Sequence, residues 1–267
     1  MSKRSISKRQ NRRLLKELAA LRTQIALQSP FSADLARLVD RAYALFGVDH
    51  VSTGLEVCMC NVCMSDETRR EIIATPNRIM APWMICEYTN SAHGLPVDVN
   101  DLRILLPRYM ELLARGEAIC NMYSDDALWR FGEARLEEEF LSKEEIALVD
   151  KWGRALMLHY AWADATDQDT TVFLWEAARL MLSLALDGAV VIEGIEAAFS
   201  QPDTGPVSIA NFTLMLEDRN KPPEKTFGDF LRKRSLRPDA VEAVIDWIES
   251  DRFAAWRDRA RAAGTLP

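Results

Sequence analysis

VCMCNVCMSDETRREIIATPNRIMAPW, residues 57–83, places three cysteines within six residues and follows them with a pattern typical of a helix start. Ser65 is a residue type that accepts a hydrogen bond from an unpaired amide at a helix N-terminus. Asp66 and Glu67 come next, where negative charge is favourable. Pro76 ends this helix because proline cannot continue the hydrogen-bonding pattern. The stretch therefore predicts a cysteine-bearing loop that leads into a helical array.

Helical patterns continue on both sides of this stretch. Upstream, apolar residues recur every three or four positions in residues 8–28 and again in 32–46. Downstream, Ser142 and Glu145 form a capping box at the start of another helix. Strand-like alternation never runs beyond a few residues. The sequence predicts an all-α fold, an irregular bundle of about ten or more helices with no sizeable sheet.

Two composition shifts divide the chain. A basic N-terminal helix is predicted in residues 1–29, and DRNKPPEKT at 218–226 is a polar, double-proline linker. We therefore expect a main helical domain in 30–219 and a C-terminal helical appendage in 220–267. Within the main domain, Pro107 lies inside a helical pattern, so a kink or a restart is expected there.

Charge is unevenly distributed along the 267 residues. Seven basic residues and no acidic residue lie in residues 1–16, and the rest of the chain holds 26 basic against 40 acidic residues. An acidic body argues against a broad nucleic-acid-binding face, so nucleic acid could contact only the basic residues 3–16. A frayed, solvated terminus is the interpretation that we favour for those basic residues.

No segment of the sequence has the pattern of a secretory signal or a membrane span. The basic N-terminus is followed by Lys16, Glu17 and Arg22 where a signal peptide would be apolar. The most apolar region is interrupted by Glu176 and Arg179. We therefore expect a soluble cytoplasmic protein, in which cysteines remain reduced or serve as ligands.

Cys58, Cys60 and Cys63 form the strongest candidate site. Thiolates in a C-x-C-x-x-C pattern can converge on one cation, and a closed zinc site needs four ligands. Cys86, His93 or His50 could supply the fourth, so the cofactor is predicted to be either absent or one zinc ion. An iron–sulfur cluster would need Cys86 or Cys120 as the last thiolate.

Two other interpretations of these cysteines remain open. Small buried cysteines among Val57, Met59, Val62 and Met64 fit ordinary packing, which the missing second CxxC favours. Cys60 and Cys63 also form a CxxC before a helix N-terminus, which could support thiol redox chemistry.

Sequence signatures of enzymes are missing. The chain has no GxGxxG, P-loop, GxSxG or HExxH pattern. His159 lies in the apolar LMLHYAW run and is expected to be a core residue. Asp164, Asp167 and Asp169 lack the glycine and distal glutamate of a calcium loop. The sequence does not point to an enzyme.

One part of the chain resembles an uncharacterised bacterial family of all-helical proteins. The matching residues are CNVCMS (60–65), TPNR (75–78), Tyr88, Asp101 and LPRYMEL (106–112), with a weaker match at LHYAW (158–162). The resemblance covers about residues 60–117 and implies a soluble helical fold with no transferable activity. It implies that Cys60, Cys63, Pro107 and Arg108 belong to one related set.

These patterns favour a protein–protein interaction module of the adaptor or immunity type. An acidic body suits a basic protein partner. A metal-binding or thiol-redox protein built on Cys58, Cys60 and Cys63 is the alternative, and an enzyme of unrecognised type is the third.

Overall fold

A computed structural model describes residues 28–47, 49–55, 57–58, 60, 63–91, 99–117, 119, 124–135, 140–166, 173–216 and 237–266. Eleven α-helices and one 3-10 turn lie in these ranges, which contain no strand, so the predicted all-α class is confirmed. The basic helix predicted in residues 1–29 falls almost wholly outside them, as does the linker at 218–226. In chain order the elements are α1 (Ser32–Phe46), α2 (Asp66–Ala74), the 3-10 turn (Asn77–Ile79), α3 (Pro82–Asn90), α4 (Val99–Ala114), α5 (Ser124–Arg135), α6 (Lys143–Thr166), α7 (Phe173–Ser183), α8 (Gly188–Phe199), α9 (Gly205–Leu216), α10 (Pro238–Glu249) and α11 (Asp251–Ala262).

Helix α6 is the element around which the others pack. It is 24 residues long and contacts α1, α4, α7, α8 and α9. Trp152 and Met157 on α6 are fully buried. Gly194 on α8 faces Met157, and a Cβ at that glycine would collide with the methionine side chain. The missing side chain therefore allows α6 and α8 to approach closely.

Two helices, α2 and α6, begin at the capping serines that the sequence predicted. The Ser142 amide donates to the Glu145 carboxylate at 2.7 Å, and the Glu145 amide donates to the Ser142 hydroxyl at 3.3 Å. Ser65 accepts from the Thr68 amide at 3.1 Å and caps α2. Helix α4 runs through Pro107 as one helix, so the alternative of a restart at this proline is wrong.

The last two helices share an aromatic cluster with α8 and α9. Its members are in ring contact, with centroids 5.0 Å apart for Trp247 and Phe253 and 6.4 Å apart for Phe199 and Phe253. We call Phe199, Phe212, Trp247, Phe253 and Trp256 the aromatic cluster. The three predicted domains stay predictions, but α10 and α11 bury their aromatic residues against α8 and α9.

In the part of the chain that the structure describes, no helix combines the length and apolar character needed to cross a bilayer.

Candidate metal centre

The loop that carries the cysteines is anchored first by a buried carboxylate. Asp101, near the start of α4, is fully buried. It accepts the Ser52 amide at 2.7 Å and the Ser52 hydroxyl at 3.1 Å. Hydrogen bonds to a charged acceptor are stronger than those between neutral groups. Asp101 therefore fixes the loop at Ser52, before the chain reaches the first cysteine, Cys58.

Helix α2 holds the same loop from the other side. The Arg69 guanidinium donates to the Leu55 carbonyl at 2.8 Å and to the Thr53 carbonyl at 3.4 Å. Val51 and Leu55 insert into the hydrophobic core. The loop is thus held by α4, by α2 and by apolar burial before the chain reaches Cys58.

The three clustered cysteines converge in space. Their Sγ atoms all lie within 4.8 Å of one another. Cys58 and Cys63 are half-buried, and Cys60 is exposed. The Cys63 amide donates to the Cys60 carbonyl at 3.2 Å, which closes a turn between the last two. This group of three thiols can hold a metal ion.

The sulfur positions fit a thiolate-bound ion after a small adjustment. Zinc–sulfur bonds of about 2.3 Å in a tetrahedron place neighbouring sulfurs about 3.8 Å apart. The separations of up to 4.8 Å therefore require movements of about 1 Å or less. Cysteine side chains on a short loop can make such movements by changing rotamer.

The prediction of a fourth ligand stays open. Neither Cys86 nor His50 belongs to the group of converging thiols, and His93 lies outside the described residues. Cys86 lies on α3, where its sulfur accepts from the Asn90 side-chain amide at 3.3 Å. Burial raises the pKa of the Cys86 thiol, and the hydrogen bond from Asn90 opposes this only in part. A thiol that stays protonated is a poor metal ligand.

Arg108, a candidate site residue in the sequence, binds the backbone that follows α2. It is buried on α4 and donates to the Met80 carbonyl at 2.5 Å and to the Arg78 carbonyl at 3.4 Å. Its charge is balanced by Glu111, whose carboxylate lies 2.5 Å away. Arg108 is therefore a positioning residue for the 3-10 turn and the start of α3.

Asn77 makes the reciprocal connection. Its side-chain amide donates to the Ile104 carbonyl, in the turn of α4 that precedes the buried Pro107. Pro107 has no N–H for the carbonyl four residues earlier, that of Arg103, which is next to the Ile104 carbonyl that Asn77 binds. The Asn77 main-chain amide donates to the Asp49 carbonyl at 2.5 Å, at the start of the cysteine loop. Asn77 thus connects the 3-10 turn both to α4 and to the start of this loop.

Glu111 is the centre of a polar network. Besides Arg108, its carboxylate binds Arg115 at 2.6 Å and accepts the Tyr43 hydroxyl at 2.8 Å. Burial raises the pKa of Tyr43 well above its ordinary value, and the hydrogen bond to Glu111 and that residue's negative charge raise it further. Tyr43 therefore stays protonated at neutral pH, which suits a structural contact and not a general base.

His159 and Asp164 are buried polar residues on α6. The expected core position of His159 agrees with its burial. Burial lowers the pKa of His159 to about 4. It raises the pKa of Asp164 to about 6, against an opposing hydrogen bond from Asn211. Within the described ranges, His159 Nδ1 and Asp164 Oδ1 have no hydrogen-bond partner.

No protein-family model, no curated protein and no solved structure matches this chain significantly.

Proposed function

We propose that this chain binds one zinc ion through the thiolates of Cys58, Cys60 and Cys63. The observation that carries the proposal is the approach of all three Sγ atoms to within 4.8 Å of one another. Three soft sulfur ligands favour zinc or a similar thiophilic ion over magnesium or calcium, which prefer oxygen. A water molecule or a further side chain completes the four-coordinate shell.

The ion serves to fix the loop and not to perform catalysis. The anchors at Ser52 and Leu55 lie before the cysteines, and the Ser65 cap lies after them. Binding of a metal to Cys58, Cys60 and Cys63 ties these two fixed ends together. Such binding adds directly to the stability of the folded state, because the ligands are not arranged in the unfolded chain. A reducing cytoplasm is the compartment we propose, since thiolates persist there.

Elemental analysis of protein purified under reducing conditions tests the proposal. We expect about one zinc per chain and a lower melting temperature after chelation. The double variant Cys60→Ser/Cys63→Ser should lose the metal, whereas Cys86→Ser should keep it. Metal-free wild-type protein, together with a double variant that melts at the wild-type temperature, would overturn the proposal.

A second proposed function, protein–protein interaction, is favoured by two exposed apolar side chains. Ile79 and Trp83 are 69% and 46% exposed, four residues apart. Arg108 holds the carbonyls on both sides of Ile79, and Met80 is fully buried. The backbone therefore presents Ile79 to solvent in a fixed position. Large apolar groups held outward are typical of binding surfaces.

Paired surface variants test this second function against a basic protein partner, the kind that the acidic composition suits. Ile79→Ser and Trp83→Ser should each weaken the complex at least tenfold in titration calorimetry, since buried aromatic and aliphatic anchors dominate interface energy. Leu214→Ser is the matched control, because Leu214 is 54% exposed and lies on another helix, α9. Equal affinities for all three variants would exclude Ile79 and Trp83 as the contact.

A further inference from the structure

The three thiols of the candidate centre differ in access to solvent. Cys60 is exposed, whereas Cys58 and Cys63 are half-buried. A reagent dissolved in water therefore reaches the Cys60 sulfur first. Exposure and thiolate character are the two properties that make a cysteine susceptible to oxidation.

Cys60 and Cys63 are also arranged to react with each other. The hydrogen bond from the Cys63 amide to the Cys60 carbonyl, 3.2 Å long, closes a four-residue turn. The first and last Cα atoms of such a turn lie within about 7 Å. A disulfide requires Cα atoms about 4.4–6.8 Å apart. Their sulfurs already lie within 4.8 Å of each other, so side-chain rotation can bring them to bonding distance.

We propose that the zinc centre is gated by oxidation, with a peroxide converting Cys60 and Cys63 to a disulfide and releasing the metal. This inference rests on the proposed zinc-binding function. Zinc binding then depends on the oxidation state of Cys60 and Cys63: the reduced protein holds the ion and the oxidised protein does not.

The proposed reaction has two balanced steps. The Cys60 thiolate attacks one oxygen of the peroxide, the O–O bond breaks, and Cys60 becomes a sulfenic acid while an alkoxide or hydroxide leaves and takes a proton from water. The Cys63 thiolate then attacks the Cys60 sulfur, and hydroxide leaves as the S–S bond forms. Two electrons pass from the two sulfurs to the peroxide. Of the three thiolates only Cys58 remains, and the loss of two sulfur ligands releases the zinc.

The anchors of the loop make this change reversible. Ser52 is held by Asp101, and Leu55 is held by Arg69, without any participation of the cysteines. Ser65 caps α2 independently as well. Loss of the metal therefore leaves both ends of the loop in place. A dithiol reductant restores Cys60 and Cys63 as ligands in a chain that has stayed folded.

Zinc-loaded full-length protein treated with hydrogen peroxide tests the gate. Zinc release is followed with a colorimetric chelator, thiols are counted with a disulfide reagent, and the disulfide is located by peptide mass spectrometry. We expect release of the bound zinc together with loss of two thiols, a Cys60–Cys63 disulfide, and recovery of both after dithiothreitol and zinc. Unchanged helical circular dichroism should accompany the release.

Each outcome separates this inference from the zinc proposal. Reduced protein that never binds zinc contradicts the zinc-binding function itself. Protein that binds zinc but keeps it after peroxide treatment, or that forms a sulfinic acid or a disulfide to another cysteine, overturns only the gate. In metal-free protein, Cys58→Ser/Cys63→Ser removes both neighbouring thiols and should leave the Cys60 sulfenic acid unresolved and open to trapping by dimedone. Cys86→Ser should form the Cys60–Cys63 disulfide at the wild-type rate.

Discussion

The Arg108 guanidinium on α4 donates a hydrogen bond to the Met80 main-chain carbonyl at 2.5 Å. This contact joins two segments that are 28 residues apart in the sequence. Since Asn77 binds the Ile104 carbonyl of the same helix, α4 supports the chain on both sides of Ile79. The Asn77 main-chain amide also donates to the Asp49 carbonyl, where the cysteine loop begins. The position of this loop therefore depends on the same support.

Replacing Arg108 should therefore lower the free energy of unfolding. Arg108→Met removes the bonds to the Met80 and Arg78 carbonyls and leaves Glu111 with less positive charge around it. The two side chains of the ion pair are only 8% and 14% exposed. Breaking a buried pair on one side typically costs about 3 kcal/mol or more, and we expect a loss of that size in urea denaturation.

Arg41→Met is the matched control for this change. Arg41 also pairs with a glutamate, Glu144, at 2.9 Å, but both side chains are 61% exposed. Water screens such a pair, so the expected loss is below about 1 kcal/mol. Equal losses in the Arg41 and Arg108 variants would show that burial of the Arg108–Glu111 pair has no special weight.

Asp101→Asn should loosen the cysteine loop without removing the side chain. The carboxylate accepts two hydrogen bonds from Ser52, whereas an asparagine would present an NH₂ group to one of the two donors. We expect about 2 kcal/mol lower stability and faster hydrogen exchange at the Ser52 amide. Ser52→Ala removes only the hydroxyl contact and should cost about 1 kcal/mol or less. A slow Ser52 amide in Asp101→Asn would contradict this role.

Cys86→Ser separates a structural thiol from a metal ligand. The Cys86 sulfur binds Asn90 on its own helix, and burial raises its pKa. We expect the variant to keep the wild-type zinc stoichiometry, measured by elemental analysis, and the wild-type zinc affinity in chelator competition. Cys58→Ser, which removes one of the converging thiols, should lower zinc affinity at least tenfold. Loss of zinc from the Cys86 variant would identify this residue as the fourth ligand.

The local part of the fold could be predicted from the sequence because its signals act over a few residues. Ser65 and Ser142 bind amides only three positions away, so the type of residue at each position suffices to place the helix start. The convergence of Cys58, Cys60 and Cys63 is local in the same sense, since the three occupy six positions.

The supports of the site could not be predicted in this way. Asn77 and Arg108 bind main-chain carbonyls. Every residue has such a carbonyl, so the sequence does not indicate which one will be the acceptor. Asp101 binds Ser52 across 49 residues, and nothing in either neighbourhood specifies the other. Asn77, Asp101 and Arg108 are polar residues to which the sequence assigns no structural role. Their shared role in positioning the loop depends on contacts between segments that are far apart in the sequence, and only the folded structure shows these contacts.

Trp247→Ala tests how firmly the C-terminal helices belong to the core. Trp247 is buried in the aromatic cluster, and its indole N–H donates to Glu196 on α8 at 2.9 Å. Loss of a buried tryptophan typically costs about 3–5 kcal/mol, and we expect a single unfolding transition shifted by that amount. Trp83→Ala, at an exposed site, should cost less than about 1 kcal/mol. Two separate transitions would instead support an independent appendage in 220–267.

His159 and Asp164 should give opposing contributions to the pH dependence of stability. The pKa of His159 falls from 6.5 in the unfolded chain to about 4 in the folded protein. Between these values only the unfolded state holds the proton, so stability rises with pH. The pKa of Asp164 rises from 3.8 to about 6 on folding. Between those values only the folded state holds the proton, so stability falls with pH, and the two slopes oppose each other between about pH 4 and 6.

Single variants reveal each slope in urea denaturation at a series of pH values. Asp164→Asn removes the falling contribution, so its stability relative to wild type should increase by about 3 kcal/mol between pH 4 and 6. His159→Gln removes the rising contribution, and its relative stability should decrease by about 3 kcal/mol between pH 4 and 6.5. Leu214→Ser, which changes an exposed side chain that carries no titratable group, should run parallel to wild type. Parallel curves for all three variants would mean that neither buried group changes its proton affinity on folding.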